Sequence, residues 1–298
     1  MEILVYAIVF SLILIVSNAT NKLIPTLPLP LIQILLGIGI GFLLPNSEYH
    51  LDTELFLALV IGPLLFREAE EADITSILKH WRIIAFLIFP VIFISTLSLG
   101  WLAHLLWLGI PLAACMAVGA ALGPTDLVAF ASLSERFTFP KRISNILKGE
   151  GLLNDASGLV AFRVALAAWT TGVFSLGQAS WDLVISILGG FAVGIVTAAV
   201  NRGLQKLLLS VRATDIASEL ILELSLPLLT FFIAEEIHVS GIIAVVVAGI
   251  LKASRFKKIT LLEAKVDTVT HTVWNTVNFV LNGSVFVLDR KSTRLNSS

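Results

Sequence analysis

LAACMAVGAALGPTDLVAF, residues 112–130, is an apolar run broken in its middle by Gly123-Pro124-Thr125-Asp126. As a helix the run is long enough to cross a hydrocarbon layer, which takes about 20 residues at roughly 1.5 Å each. Proline removes an amide donor and weakens the helix, so carbonyls and amides near residue 123 lose their partners in a medium that supplies none. An aspartate follows at once. A charge at that depth costs at least about 2.5 to 3.5 kcal/mol on insertion scales, so Asp126 needs a partner, water or a task. Transporters use mid-membrane helix breaks to offer free backbone groups to an ion, and Thr125-Asp126 reads as one half of such a site.

The other half is Glu150-Gly151-Leu152-Leu153-Asn154-Asp155. Asp155 falls about twelve residues into the next apolar segment, close to the bilayer midplane at roughly 1.5 Å per residue. Asp126 reaches a similar depth from the opposite side. Desolvation disfavours the charged carboxylate and raises its pKa toward neutrality, so one oxygen can hold either a proton or a hard monovalent cation. If the loaded site faces first one side and then the other, two gradients are coupled without nucleotide hydrolysis. Asp155 is the expected carrier. Asn154 cannot titrate, which leaves one mobile carboxylate at the pair and favours one-for-one exchange.

Working outward, 57% of the 298 residues are hydrophobic and only 14% are charged, a balance that no ordinary soluble protein has. The partner this composition asks for is a lipid bilayer; nothing calls for nucleic acid or a cofactor. Ten apolar stretches are expected to be membrane helices: 3–18, 27–44, 53–67, 83–107, 111–134, 143–168, 181–201, 216–236, 239–251 and 269–288. The ninth is too short to span unaided. Basic residues fall at alternate loops. Lys22 lies in the first; Arg67, Lys79 and Arg82 in the third; Arg136, Lys141, Arg142 and Lys148 around the fifth. Arg202, Lys206 and Arg212 fill the seventh, and Lys252, Arg255, Lys257, Lys258 and Lys265 the ninth. Since cytoplasmic loops retain positive charge, this pattern puts the odd loops inside and the amino terminus outside. Met1 to Val16 carries Glu2 where a leader would be basic, and is read as a retained membrane helix. Cys115, the single cysteine, rules out a disulfide framework.

Other polar residues have plainer roles to weigh. Glu150 is one turn before Asn154 and suits a packing or salt-bridge partner as well as an ion ligand. Arg163 lies eight residues beyond Asp155, about 12 Å along the helix, and is expected to pair elsewhere. Glu68, in Phe66-Arg67-Glu68-Ala69-Glu70-Glu71, is most simply part of a solvated charge run, with lining of the ion entrance as the alternative. Glu235, Glu236 and His238 form either an interfacial cluster or a ligand of an outer vestibule, and His104 is an interfacial histidine.

The carboxy-terminal decapeptide DRKSTRLNSS, residues 289–298, follows abruptly on an apolar run and is basic where the charge pattern expects the outside. It can be back-translated to GATCGGAAGAGCACACGTCTGAACTCCAGT, which resembles a widely used sequencing-library adapter. The expectation is a non-native tail read from adapter sequence.

At GPTD followed by EGLLNDASGLVAFR the chain resembles the monovalent cation:proton antiporter-1 family, the NhaP-like sodium/proton exchangers. Further similarity lies at Gly62-Pro63-Leu64-Leu65-Phe66-Arg67-Glu68, at His238-Val239-Ser240-Gly241 and the run to Gly249, and from Trp274 to Gly283. The resemblance implies an all-α polytopic fold of thirteen helices, of which ten are expected here, with an external amino terminus and a dimer in which a core moves against a dimerisation domain. It implies that Asp155 binds Na⁺, K⁺ or Li⁺, or else H⁺, that Asn154 is structural, and that Thr125-Asp126 sit where broken helices cross. Asp126 and Asp155 are thus the ligands expected for transported Na⁺, with Glu68, Glu150 and Gly151 as accessory positions. Gly151 stands where many members have serine, which puts one hydroxyl ligand in question, and Leu127 replaces a usual proline. An inverted repeat would give a first repeat at about 1–168, a linker helix at 181–201 and a partial second repeat at 216–288. The family's bracing arginine on a later helix has no counterpart in this stretch, so the chain as given is expected not to transport. The alternatives are an intramembrane aspartyl protease with Asp126 and Asp155 as its dyad, or an ion channel.

Overall fold

The computed structural model describes residues 2–24, 27, 29–43, 53–107, 109–124, 139–171, 176–211, 215–253 and 261–292, and all secondary structure among them is helical. Helices α1 (Glu2–Leu23) and α2 (Leu29–Leu43) precede a short α3 (Thr53–Phe56), which passes through a π-helical turn (Leu57–Ile61) into α4 (Gly62–Glu71). The chain continues as α5 (Ile74–Leu106), α6 (Leu112–Leu122), α7 (Lys141–Thr171) and α8 (Leu176–Ser210). It ends with α9 (Ile216–Glu236), α10 (Gly241–Ala253) and α11 (Leu261–Ser292). Helix occupies each of the ten expected stretches, the fifth as far as Leu122; residues 125–138 lie outside the described residues, as do 293–298 of the carboxy-terminal decapeptide.

Several helices outrun their expected limits. α5 begins at Ile74, α8 continues to Ser210 and α11 starts at Leu261. Hydropathy detects only the apolar part of a helix. Flanks rich in Lys, Glu and Arg continue the same amide ladder wherever water or headgroups can take the charges. The π turn has a local cause. Pro63 brings no amide hydrogen, and just before it the Gly62 N–H reaches back to Leu57 O, one residue further than an α-helix would.

Burial along α8 is inverted relative to a soluble protein. Gly190, Val193, Gly194, Thr197, Ala198, Asn201 and Gln205 are buried, whereas Val184, Leu188, Phe191, Val196 and Val200 are exposed. Small and polar residues thus face protein while large apolar ones face outward, the arrangement expected where the surroundings are lipid. By length and composition, Val184–Ser210 and Ile216–Glu236 are the described helices that could cross a membrane alone, with shorter apolar helices such as Ile8–Leu23 and Phe93–Leu106 beside them.

The chain divides into two compact units. One comprises Met1–Leu64, Thr214–Leu224 and Lys258–Ser298. Within it Gly283 of α11 is tight against Leu14 of α1, and a Cβ there would come within 3.2 Å of Gln33 Nε2 of α2. Trp274, fully buried, donates its indole N–H to Glu223 Oε1 at 3.2 Å. The other unit comprises Leu65–Ala213 and Ser225–Lys257. Inside it α5, α6 and α7 pack on one another, and α8 packs on α10. Glycines permit both sets of crossings. A Cβ at Gly194 would collide with Ala244 O, and one at Gly119 with Thr96 O.

Candidate ion-binding site

α6 stops at Leu122, with Gly123 at φ −74° and ψ −37° and Pro124 next. α7 meets this break directly. A Cβ at Gly158 would collide with the Pro124 ring and lie 3.5 Å from Ala120 O, so only glycine lets the two backbones come so close. Gly158 follows Asn154 by one turn on the same helix face. That face is turned inward: Gly151 and Gly158 are buried, Asn154 is 1% exposed and Glu150 is 7% exposed. The turn of α7 that follows Asn154 is therefore seated on the residue that precedes Thr125-Asp126. Thr125 and Asp126 themselves lie outside the described residues, and of Asp155 only its helical position on α7 is described.

α5 carries two hydroxyls that the sequence reading did not single out, of which Ser95 meets the break. Ser95 Oγ lies 2.8 Å from where a Gly123 side chain would begin. Thr96 Oγ1 is buried and, among the described residues, has no hydrogen-bond partner. Serine and threonine are common packing residues in apolar helices, so their type alone carried no signal. The only hint was the spacing of Gly119 and Gly123, which marks the face α5 must meet.

The charge run Arg67 to Glu71 is solvated only at its end: Glu71 is exposed, whereas Arg67 is buried and Glu68 and Glu70 are half-buried. α4 carries them in helix, and Arg67 is only 3% exposed. Its guanidinium reaches Glu70 Oε2 at 2.8 Å and Glu71 Oε1 at 2.8 Å, while Lys252 Nζ meets Glu70 Oε1 at 3.1 Å. Burial follows from the close approach of α10, where a Cβ at Gly249 would lie 2.5 Å from Phe66 O. Glu68 is half-buried beside this network. The C-terminal end of α10 is held in addition by Arg202, which donates Nη2–H to Leu251 O at 3.1 Å.

Arg163 has its partner 72 residues away: Nη1 lies 3.0 Å from Glu235 Oε1. Of the expected outer cluster, Glu236 and His238 are exposed. His238 adopts φ 58°, a left-handed turn position that ends α9 before α10 begins. His104 Nδ1 is 3.1 Å from Ile110 O, a contact that closes the turn after α5, and Cys115 is buried within α6. Glu223, within the expected stretch 216–236, went unnoticed, and its indole partner lies 51 residues away.

Residues 7–289 match the family described as sodium/hydrogen exchanger, transmembrane. The chain belongs to that family. It is 38% identical over 288 residues to the sodium, potassium, lithium and rubidium/H(+) antiporter of Bacillus subtilis (strain 168), covering 97% of this chain and 43% of that protein. It is 33% identical over 290 residues to the Na(+)/H(+) exchanger YjcE of Escherichia coli (strain K12), covering 97% and 53% respectively. This exchanger-family chain therefore spans about half the length of these two curated relatives. The sodium proton antiporter MjNhaP1 of Methanocaldococcus jannaschii superposes with a TM-score of 0.72 over 96% of this chain and 70% of its own, at 20% identity, which establishes the likeness of fold. The relatives are antiporters, that is, transporters and not enzymes.

Proposed function

We propose that the protein to which this chain belongs exchanges a monovalent cation, Na⁺ foremost with K⁺ and Li⁺ as alternatives, for H⁺ across a bacterial plasma membrane. Asp155 is the carrier in this reading. Thr125 and Asp126 complete the site across the helix break, and Asn154 holds the turn. One observation supports the assignment: Gly158, one turn after Asn154 on α7, packs against Pro124, the residue that precedes Thr125-Asp126 in the sequence. Exchange is proposed to be electroneutral, since Asn154 cannot share the titration. Glu150, Gly151 and Glu68 are proposed accessories. The amino terminus outside, thirteen helices in inverted repeats and a homodimer are proposed for the full-length protein. Residues 289–298 are proposed to be adapter-derived, which the genomic sequence downstream of Leu288 tests directly.

The decisive experiment measures cation-dependent alkalinisation of everted vesicles carrying the full-length gene product. Asp155→Asn is expected to abolish Na⁺-, K⁺- and Li⁺-dependent exchange while leaving the protein in the membrane. Exchange at the wild-type rate in that variant would overturn the carrier assignment.

A further inference from the structure

The ion pair between Arg163 of α7, the helix of the proposed carrier, and Glu235 of α9 has a specific construction. Glu235 Oε1 accepts from Arg163 Nη1 at 3.0 Å and from the Gly241 N–H at 3.3 Å. Gly241 opens α10, and a Cβ on it would sit 3.0 Å from that oxygen and 2.8 Å from Phe231 Cδ2. Glycine is thus what lets the carboxylate reach the helix start. The turn carrying Glu235 is fixed independently. His238 donates its N–H to Glu235 O at 2.9 Å, Val239 donates its own to Ala234 O at 2.9 Å, and Ser240 Oγ accepts from the Ile243 N–H at 3.3 Å. Glu235 is therefore held in place whether or not Arg163 is present. The side chains of Arg163 and Glu235 are 36% and 27% exposed, so the pair is neither a free surface contact nor a deep staple.

Arg163 stands eight positions from Asp155, about 12 Å along α7 at roughly 1.5 Å per residue. At that separation and an effective dielectric of about 20, two unit charges change an equilibrium constant by about tenfold. An unpaired guanidinium there would repel any cation approaching the carrier. We propose that Glu235 is an electrostatic compensator: by neutralising Arg163, it sets the apparent affinity of the exchanger for its cation. Glu235 and Arg163 are positioning residues that act through the local field and do not bind the ion. The proposal rests on the carrier reading of Asp155.

The test compares Glu235→Gln, Arg163→Gln and the double variant in the full-length protein, reading KM and Vmax for Na⁺ in everted vesicles. Glutamine at 235 still offers an oxygen to Gly241, so chiefly the charge changes. Glu235→Gln is expected to raise KM about three- to tenfold, and Arg163→Gln to lower it by a similar factor. The double variant, neutral again, is expected to return KM to within about twofold of wild type. Arg163→Lys keeps the charge and is expected to keep KM near its starting value, which serves if Arg163→Gln fails to fold. Single variants that shift KM in the same direction, or that lower only Vmax, would make the pair purely structural and overturn the proposal. The carrier reading is judged separately by Asp155→Asn: if that variant is inactive and the KM shifts do not oppose each other, the compensator alone is lost.

Discussion

Two ion pairs in the same compact unit are built in contrasting ways. At α4 and α10, Arg67, Glu70 and Lys252 are 3%, 15% and 10% exposed, and Glu70 serves both cations. At α7 and the end of α9, Arg163 and Glu235 are 36% and 27% exposed, and each finds the other across 72 residues. Burial sets what each can do. Charges taken out of water cost several kcal/mol unless paired, so the first cluster makes the fold depend on its own completeness. The second is exposed enough that its members can lose a partner without collapse, which leaves its charge balance free for the compensating role proposed above. A charged pair near the helix proposed to bear the carrier is therefore a functional candidate in proportion to how little the fold needs it.

The largest stability effect expected from this contrast is at Glu70. Glu70→Ala takes one carboxylate from Arg67, which keeps Glu71, and one from Lys252, and should cost about 3 kcal/mol, the lower end of what breaking a buried pair costs. Thermal unfolding of the full-length protein in detergent reads this as a large drop in Tm or a failure to accumulate. A Tm within a few degrees of wild type would remove the distinction between the two sites. Glu235→Gln should cost less than about 1 kcal/mol in the same assay, the range of partly exposed pairs. A loss there equal to that of Glu70→Ala would mean that exposure does not separate the two.

The contrast also marks how far the sequence could be read. Apolar stretches, alternating basic loops and the paired motifs at 123–126 and 150–155 are local in sequence, and they led to an all-helical chain of the exchanger family. Arg163 was legible as needing a partner, because a lone cation in an apolar helix is costly. Which partner was not, since Glu235 lies 72 residues away and is indistinguishable by type from its neighbour Glu236. The run around Glu68, read as solvated, is half-buried for the reciprocal reason. It looked solvated until Gly249 brought α10 onto α4. Pairings that depend on which helices touch are properties of the packing, and local pattern fixes only the demand for them.

Asp215 carries the comparison to the exposed limit, where the smallest effect is expected. It precedes α9, is fully exposed, and accepts the Ser218 backbone N–H at 2.9 Å as an amino-terminal cap. The Ser218 hydroxyl and amide hold its pKa below the ordinary 3.8. A depressed folded value means that the stabilisation is fully present above the unfolded pKa and is lost as pH falls through the folded one. Asp215→Asn keeps an oxygen for the cap and removes the titration, so the Tm difference from wild type should be small and flat near neutrality. That difference should shrink further as pH drops below about 4, the ordinary carboxylate range. A difference that instead grew in acid would reverse the sign, and would mean that the folded chain favours the protonated carboxyl at this cap.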